Sequence, residues 1–440
     1  MKVGLCLLFF LAVGFVQAQE PGAQQQADVG PTILSRTDMQ VPAQVAREKA
    51  GNSFDYFLFS DGYFNFNAPV NSQPSQTSSY GNTAGFDVGG GLDLVHDFHR
   101  GSVSLTYSGS WRDYTNSNYY SGFQQGLNFR FTYQLSRHLT LSLLQNIAAA
   151  PNGTGAYQFA QNPYAGSNGQ AGETRLFLTG GTLTYQQTAR LSYVVAGDFF
   201  VSQYRPISVN DSLGGQVTAS ANYRYSKKAT VSFAYSYSHF TYSQNSNDVS
   251  NNQTGYVTYA YAITPKTQFA VSGGATSAAV TQAILFGAPP VLTTFHSTTT
   301  FPYFSGRLGH SARRGSASFQ ASQSILAGNG ALGTSKSLSV TGTVTYSPSL
   351  KWALSGTGGY QHLTALGQMQ TCSGQTQNCN TYSTGFATLG FSYKLSRHFG
   401  LKSNLSYGLF DNYGNGGTQP TGSISFGITF TSGDRPVIFF

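Results

Sequence analysis

From Phe54 to the C-terminus, apolar and polar residues alternate with a period of two. Phe86, Val88, Leu92 and Leu94 share one phase, as do Val103, Leu105, Tyr107 and Trp111. Leu127, Phe129, Phe131, Tyr133 and Leu135 form a third set, and Val231, Phe233, Tyr235 and Tyr237 a fourth. The alternation returns in Leu338, Val340, Val344 and Tyr346, in Leu389, Phe391, Tyr393 and Leu395, and in Ile424, Phe426, Ile428 and Phe430. Residues two apart share a face in a strand and not in a helix, so the segment is predicted to be all-β.

The strands come in pairs. Eight short turns are centred near Arg100, Ser136-Arg137, Thr188-Ala189, Lys227-Lys228, Pro265-Lys266, Arg313-Arg314, Pro348-Ser349 and Ser396-Arg397. Longer connections rich in Asn, Gly, Ser and Tyr separate the pairs, notably 149–173, 277–300 and 364–382. Short turns at one end and long loops at the other are the arrangement of a transmembrane antiparallel up-and-down β-barrel of the bacterial outer membrane, with the short turns periplasmic. Eight pairs, a first strand near 54–66 and a last near 421–431 predict eighteen strands with both barrel ends on the periplasmic side. Sixteen is the alternative, because 174–187 and 267–279 are weakly patterned.

Composition fits a wall with lipid on one face and water on the other. Charged residues are 9% of the chain, against roughly 25% in ordinary globular proteins. Aromatics reach 14%, and Ser, Thr, Asn, Gln and Gly are abundant. The mean hydropathy of −0.20 is what inward polar and outward apolar residues give when averaged. No apolar run of ~20 residues follows Ala18, which excludes spanning helices.

The N-terminus reads as an export signal. Lys2 precedes an apolar stretch from Val3 to Phe15, and Val16-Gln17-Ala18 ends in a small residue suited to cleavage. Cys6 lies inside that apolar stretch, where it is poorly placed for lipidation. The expected organisation is a signal peptide at 1–18, a flexible periplasmic tail at 19–52, the outer-membrane barrel at 53–431 and a C-terminal tail at 432–440. Without Lys2 the chain has 23 basic and 16 acidic residues, a net charge of +7. The basic residues are dispersed among turns, so no nucleic-acid partner is expected.

Charges within strands give a partly independent check, since phase was set from apolar residues. Asp87, Asp93, Arg112, Arg130, Asp198, Arg224, Arg307, Lys394 and Lys402 all fall on the phase opposite to the apolar side chains. Chance would put about half of them outward, where Arg or Lys costs roughly 2–4 kcal/mol at the membrane midplane. Lys336 takes the outward phase at a strand end. The inward set predicts a mildly cationic lumen that favours anions. Strand pairing is the competing explanation for some of it, since folding the hairpin about Arg100 brings Asp87 close to Arg112.

Aromatics near strand ends (Phe86, Trp111, Tyr133, Tyr185, Tyr225, Trp352, Tyr360 and Tyr393) are expected in two interfacial belts. His96, His239, His310 and His362 take the outward phase near strand ends and read as interfacial side chains. Cys372 and Cys379 sit six residues apart in a Gly/Asn/Gln/Thr-rich stretch, where an outer-loop disulfide is favoured over free thiols. Gly89-Gly90-Gly91 lies inside a strand and precedes no helix, so it reads as a bend in the wall and not a nucleotide cradle. No G-x-S-x-G elbow and no metal-ligand spacing occurs, so no enzyme activity, metal or cofactor is expected.

On these features the chain resembles bacterial outer-membrane β-barrel proteins of porin type, over about residues 54–440. Turns such as Gln134-Leu135-Ser136-Arg137-His138 and Lys394-Leu395-Ser396-Arg397-His398 look like those of poorly characterised families in that class. The resemblance implies a final strand with alternating aromatics and a terminal Phe, read by the barrel-assembly machinery. Phe426 and Phe430 match it, while Gly433-Asp434-Arg435-Pro436 interrupts the chain before Phe440, so either Phe430 or Phe440 could serve. The expected partners are outer-membrane lipid, the assembly machinery and small hydrophilic solutes, with a homo-oligomer left open. A passive channel is the expected function. The alternatives are a component of a polysaccharide-export or surface-assembly system, and a barrel with a plugged lumen.

Overall fold

The computed structural model describes residues 53–69, 80–115, 121–152, 172–205, 211–242, 248–286, 291–327, 334–366, 381–411, 418–432 and 435–436. They form β1 (Ser53–Pro69), β2 (Tyr80–Phe98), β3 (Gly101–Tyr114), β4 (Gly122–Gln134), β5 (Leu139–Asn152) and β6 (Gly172–Gln186). Next come β7 (Leu191–Arg205), β8 (Ser212–Arg224), β9 (Ala229–Tyr242), β10 (Val249–Thr264), β11 (Thr267–Phe286) and β12 (Val291–Ala312). The last six are β13 (Gly315–Leu326), β14 (Ser335–Tyr346), β15 (Trp352–Ala365), β16 (Thr381–Lys394), β17 (Phe399–Asp411) and β18 (Thr418–Thr431).

Each strand pairs antiparallel with its neighbours in sequence, and β1 closes on β18 from Phe57↔Thr431 to Phe66↔Gly422. A two-residue bridge, Arg435–Pro436, continues the seam beside Ser53 and Phe54. The result is the eighteen-stranded closed barrel that the alternation predicted. Closure matters physically, because a sheet edge in hydrocarbon would leave its peptide groups unpaired.

The eight short connections fall where the sequence places them. Six are built alike: a Ser or Thr hydroxyl accepts the backbone N–H of a basic residue two positions on. The pairs are Ser136 with His138, Thr188 with Arg190, Ser226 with Lys228, Thr264 with Lys266, Ser349 with Lys351 and Ser396 with His398, at 3.1–3.2 Å. Such hydroxyl turns let the chain reverse in few residues and hold the basic side chain at the rim.

The outward face carries the large apolar residues. Val88, Trp111, Val217, Phe233, Leu389 and Phe426 are each about half exposed or more, and the residues between them point inward. Phe86, Trp111 and Tyr360 lie near the loop end, while Tyr185, Tyr225 and Trp352 lie near the short turns. The inward face is mostly hydroxyl and amide. Directly opposed residues bond across neighbouring strands: Thr218 to Ser236 at 3.0 Å, Thr258 with Ser272 at 2.8 Å, Ser322 with Ser339 at 2.9 Å and Ser406 with Ser423 at 2.6 Å. Polar groups on the wall thus find partners within it.

One expectation is corrected. The stretch 277–300 is not chiefly a loop, since β11 runs to Phe286 and β12 begins at Val291, paired throughout. Its Thr- and Val-rich composition favours extended chain, but the outward phase there (Thr294, His296, Thr298, Thr300) is polar, which removes the alternation. Gly89–Gly91 makes no break in pairing with β1, and a side chain at Gly91 would collide with the buried Phe57 ring. These glycines leave room for an inward aromatic; the register shift in this pair comes between Asn65 and Ala68.

Candidate functional site

Three features of the inner wall bear on function: a row of paired charges, an apolar closure and a set of unpaired cations.

The charge row follows one line of cross-strand neighbours from β17 to β3. Lys402 opposes Gly427, Gly427 opposes Asp61, Asp61 opposes Asp87, and Asp87 opposes Arg112. The Lys402 ammonium reaches across β18 to the Asp61 carboxylate, 2.5 Å away, and lies over the Phe59 ring. A Cβ at Gly427 would overlap Asp61 Oδ1, so glycine is what lets this contact form. Arg112 bonds Asp87 at 2.9 Å and stacks over Tyr63, whose hydroxyl donates to the Asp113 carbonyl. Gln124 donates from Nε2 to Asp87 Oδ2 and Ser110 Oγ, both at 2.6 Å. Two like charges directly opposed repel. Here each carboxylate has a cation on its far side, and the order is plus, minus, minus, plus.

The apolar closure lies on the other side of the barrel, toward the loop end. Pairing between β12 and β13 stops at Phe304↔Gln323, although both strands continue. Beyond that point the ends of β13 and β14 slide inside the wall, so their outward phase meets the inner face of β12. Gln323 bonds the Pro302 carbonyl, the Lys336 ammonium lies 5.9 Å from the Phe301 ring, and Ile325 packs against Ala278, Val280 and Phe301. The overlap reaches further round. Ala327 joins Leu178, Phe200, Phe240 and Tyr242, and Tyr242 bonds Thr334 at 2.9 Å. On its inner face Leu326 packs on Leu363 and Tyr382. The outward phase of Lys336, an exception in the sequence, is explained by this inward fold.

The remaining inward charges are distributed unevenly. Arg130, Arg224, Arg307 and Lys394 are exposed, on β4, β8, β12 and β16, at or within five residues of the short-turn end. No ion pair involves them among the described residues. Asp93 accepts a bond from Thr106 at 2.8 Å, and Asp198 faces Gly180, where a Cβ would meet its Oδ1. Asp55, Asp61 and Asp97 share the inward phase as well, although the alternation did not place them. Counting them, the described strands carry six inward carboxylates and six inward cations, and the contrast lies in where they stand. The carboxylates of β1 and β2 occupy one arc and the four exposed cations the other.

The outward histidines behave as interfacial polar groups. His239 Nδ1 contacts Asn251, His310 contacts Thr267 and His362 contacts Ser383, at 2.7–2.8 Å, with no carboxylate in these pairs. Among the described residues no group of three or more His, Cys, Asp or Glu could hold a metal. Cys372, Cys379 and Phe440 lie outside the described residues, as do the signal and tail at 1–52. Phe430 closes the β17–β18–β1 seam, packed on Phe399 and near Tyr56.

No protein-family model matches the sequence, and no curated protein matches it. Among solved structures, the chain is similar to the BenF-like porin of Pseudomonas fluorescens Pf-5, at 11% identity over 87% of this chain and 99% of that one, with a TM-score of 0.43. It is similar to OpdL of Pseudomonas aeruginosa, at 12% identity over 86% and 98%, with a TM-score of 0.38. It is similar also to the ferric-catecholate import receptor Fiu of E. coli K12, at 9% identity over 87% and 82%, with a TM-score of 0.44. The chain spans 61% of the length of the copper transporter OprC.

Proposed function

We propose that the protein is a passive channel of the bacterial outer membrane for small hydrophilic solutes. The observation that carries this reading is a closed eighteen-stranded wall with an apolar outward face and an inner face of hydroxyls and amides. Eighteen strands about 4.8 Å apart and tilted about 40° enclose a backbone circle roughly 36 Å across, wider than inward side chains alone can fill. The ends of β13 and β14 fill part of that space near the loop end, so solute size is set there.

The basic short turns support a mild preference for anions: the Asp61–Lys402 and Asp87–Arg112 pairs largely cancel their own fields, the other inward carboxylates match the four exposed inward cations in number, and the ten turn cations are left in excess. Export through a cleaved signal at 1–18 and recognition of Phe426 and Phe430 by the assembly machinery belong to the same reading. Purified protein in planar bilayers should show stable open steps, with a reversal potential in a salt gradient of the sign given by anion selectivity. Silence under all voltages would favour the alternative, a barrel component of an export or surface-assembly system. Steps that prefer cations would remove the selectivity while leaving the channel.

A further inference from the structure

The eight short turns carry charges of a single sign. These are Arg100, Arg137, Arg190, Lys227, Lys228, Lys266, Arg313, Arg314, Lys351 and Arg397, all exposed. No Asp or Glu occurs in these turns; the inward carboxylates at this depth, Asp55, Asp93 and Asp97, are confined to β1 and β2. Just inside the rim stand Arg130, Arg224, Arg307 and Lys394, four strands apart from one to the next. The arc without such a cation, β17 to β3, holds the charge row.

Spacing decides what could use this arrangement. On a barrel of this size, strands four apart place inward side-chain tips roughly 15 Å from each other. One small anion cannot touch two of these cations. A chain of anionic groups can, and each added contact then acts at high effective concentration. The four inward cations point into the lumen and away from lipid, so lipid headgroups have access to the turn cations but not to these.

We infer that the crescent of Arg130, Arg224, Arg307 and Lys394, fronted by the basic turns, is a binding site for a linear polyanion of phosphate type entering from the short-turn side. Guanidinium and ammonium groups supply charge-assisted bonds to phosphate oxygens, and the basic rim raises the local anion concentration before contact. The inference rests on the channel reading only for its electrical readout.

Short-chain linear polyphosphate, with orthophosphate as control, is the probe. In calorimetric titrations of the full barrel in an uncharged detergent, polyphosphate should bind roughly a hundredfold tighter than orthophosphate. The affinity should weaken as salt is raised. The variant carrying Arg130→Gln, Arg224→Gln, Arg307→Gln and Lys394→Gln should lose at least tenfold of that affinity. If this variant fails to fold, the single changes Arg224→Gln and Lys394→Gln, at strand ends, give the same test in smaller steps. A second variant, with Lys227→Gln, Lys228→Gln, Arg313→Gln and Arg314→Gln, separates the sources of phosphate. It should lose binding to phosphatidylglycerol vesicles while keeping most polyphosphate affinity. In bilayers, polyphosphate should block current from the short-turn side alone. Equal affinity for the two phosphates, loss in the turn variant but not in the inward one, or block equal from both sides would each overturn the inference. A barrel that binds polyphosphate but shows no current would instead remove the channel reading and leave this one standing.

Discussion

Two sectors of the inner wall bury side chains by opposite means. From β17 to β3 the buried set includes a row of charges held by register: Lys402, Asp61, Asp87 and Arg112 stand in one cross-strand line. Between β6 and β15, among buried hydroxyls and amides, an apolar cluster is held by a contact between distant strands, with Ile325 and Ala327 seated on Leu178, Phe200, Phe240 and Phe301. The first arrangement depends on neighbours one or two strands away. The second depends on strands far apart in the barrel, and it exists because the β12–β13 pairing ends early. An ionic wall is therefore sensitive to the loss of one partner, while an apolar closure is sensitive to lost volume.

That contrast can be broken at its strongest points first. Lys402→Met should leave Asp61 as an uncompensated buried charge, at a cost of about 3–5 kcal/mol. Adding Asp61→Asn should restore much of it, so heat-modifiability on gels ought to recover in the double variant. No recovery would mean that the pair is not what stabilises this sector. Phe240→Ala should cost a similar amount, about 3–5 kcal/mol, through the cavity it leaves. No polar substitution should rescue it, and single-channel conductance should rise as the closure loosens; unchanged conductance would show that the closure does not limit passage.

A smaller effect tests the wall that both sectors share. Val217→Arg, on the outward face of β8, should cost roughly 2–4 kcal/mol in bilayers, while Gln216→Arg on the inward phase should cost far less. Equal losses in urea titrations of the folded barrel would contradict the assignment of faces. The smallest change sharpens the charge row. Gln124→Leu removes two bonds of 2.6 Å, to Asp87 and Ser110, and should lower stability by about 1–3 kcal/mol. A loss as large as that of Lys402→Met would mean that Gln124, not the ion pairs, anchors the row.

Much of this was legible in the sequence, and the failures have a common cause. Asp87 and Arg112 could be matched across a hairpin because one turn fixes their register. Asp61 was hidden because β1 is aromatic on both phases: Tyr56 and Leu58 point outward, while Phe57 and Phe59 share the inward phase of Asp61. The same doubling marks the closure. Leu176 and Leu178 flank Phe177, and Phe199 adjoins Phe200, each pair divided between lipid and lumen. Apolar residues on both phases are thus the sequence signal of a buried inner face, although they do not say what covers it. The length of β11 and β12 escaped for the reverse reason, because the outward phase of β12 there is polar (Thr294, His296, Thr298, Thr300) and shows no hydrophobic period.

The sequence by itself determined the faces, the turn positions and the basic short turns, and it favoured eighteen strands over sixteen. Each follows from local alternation or from residues adjacent in the chain. Only the tertiary structure decided which charges meet and where the lumen narrows. The Lys402–Asp61 contact needs three strands in one register with a glycine between them. The closure needs β13 to leave β12 and cross the lumen. Neither is a property of any single segment, since both arise only when the sheet has curved round and met itself.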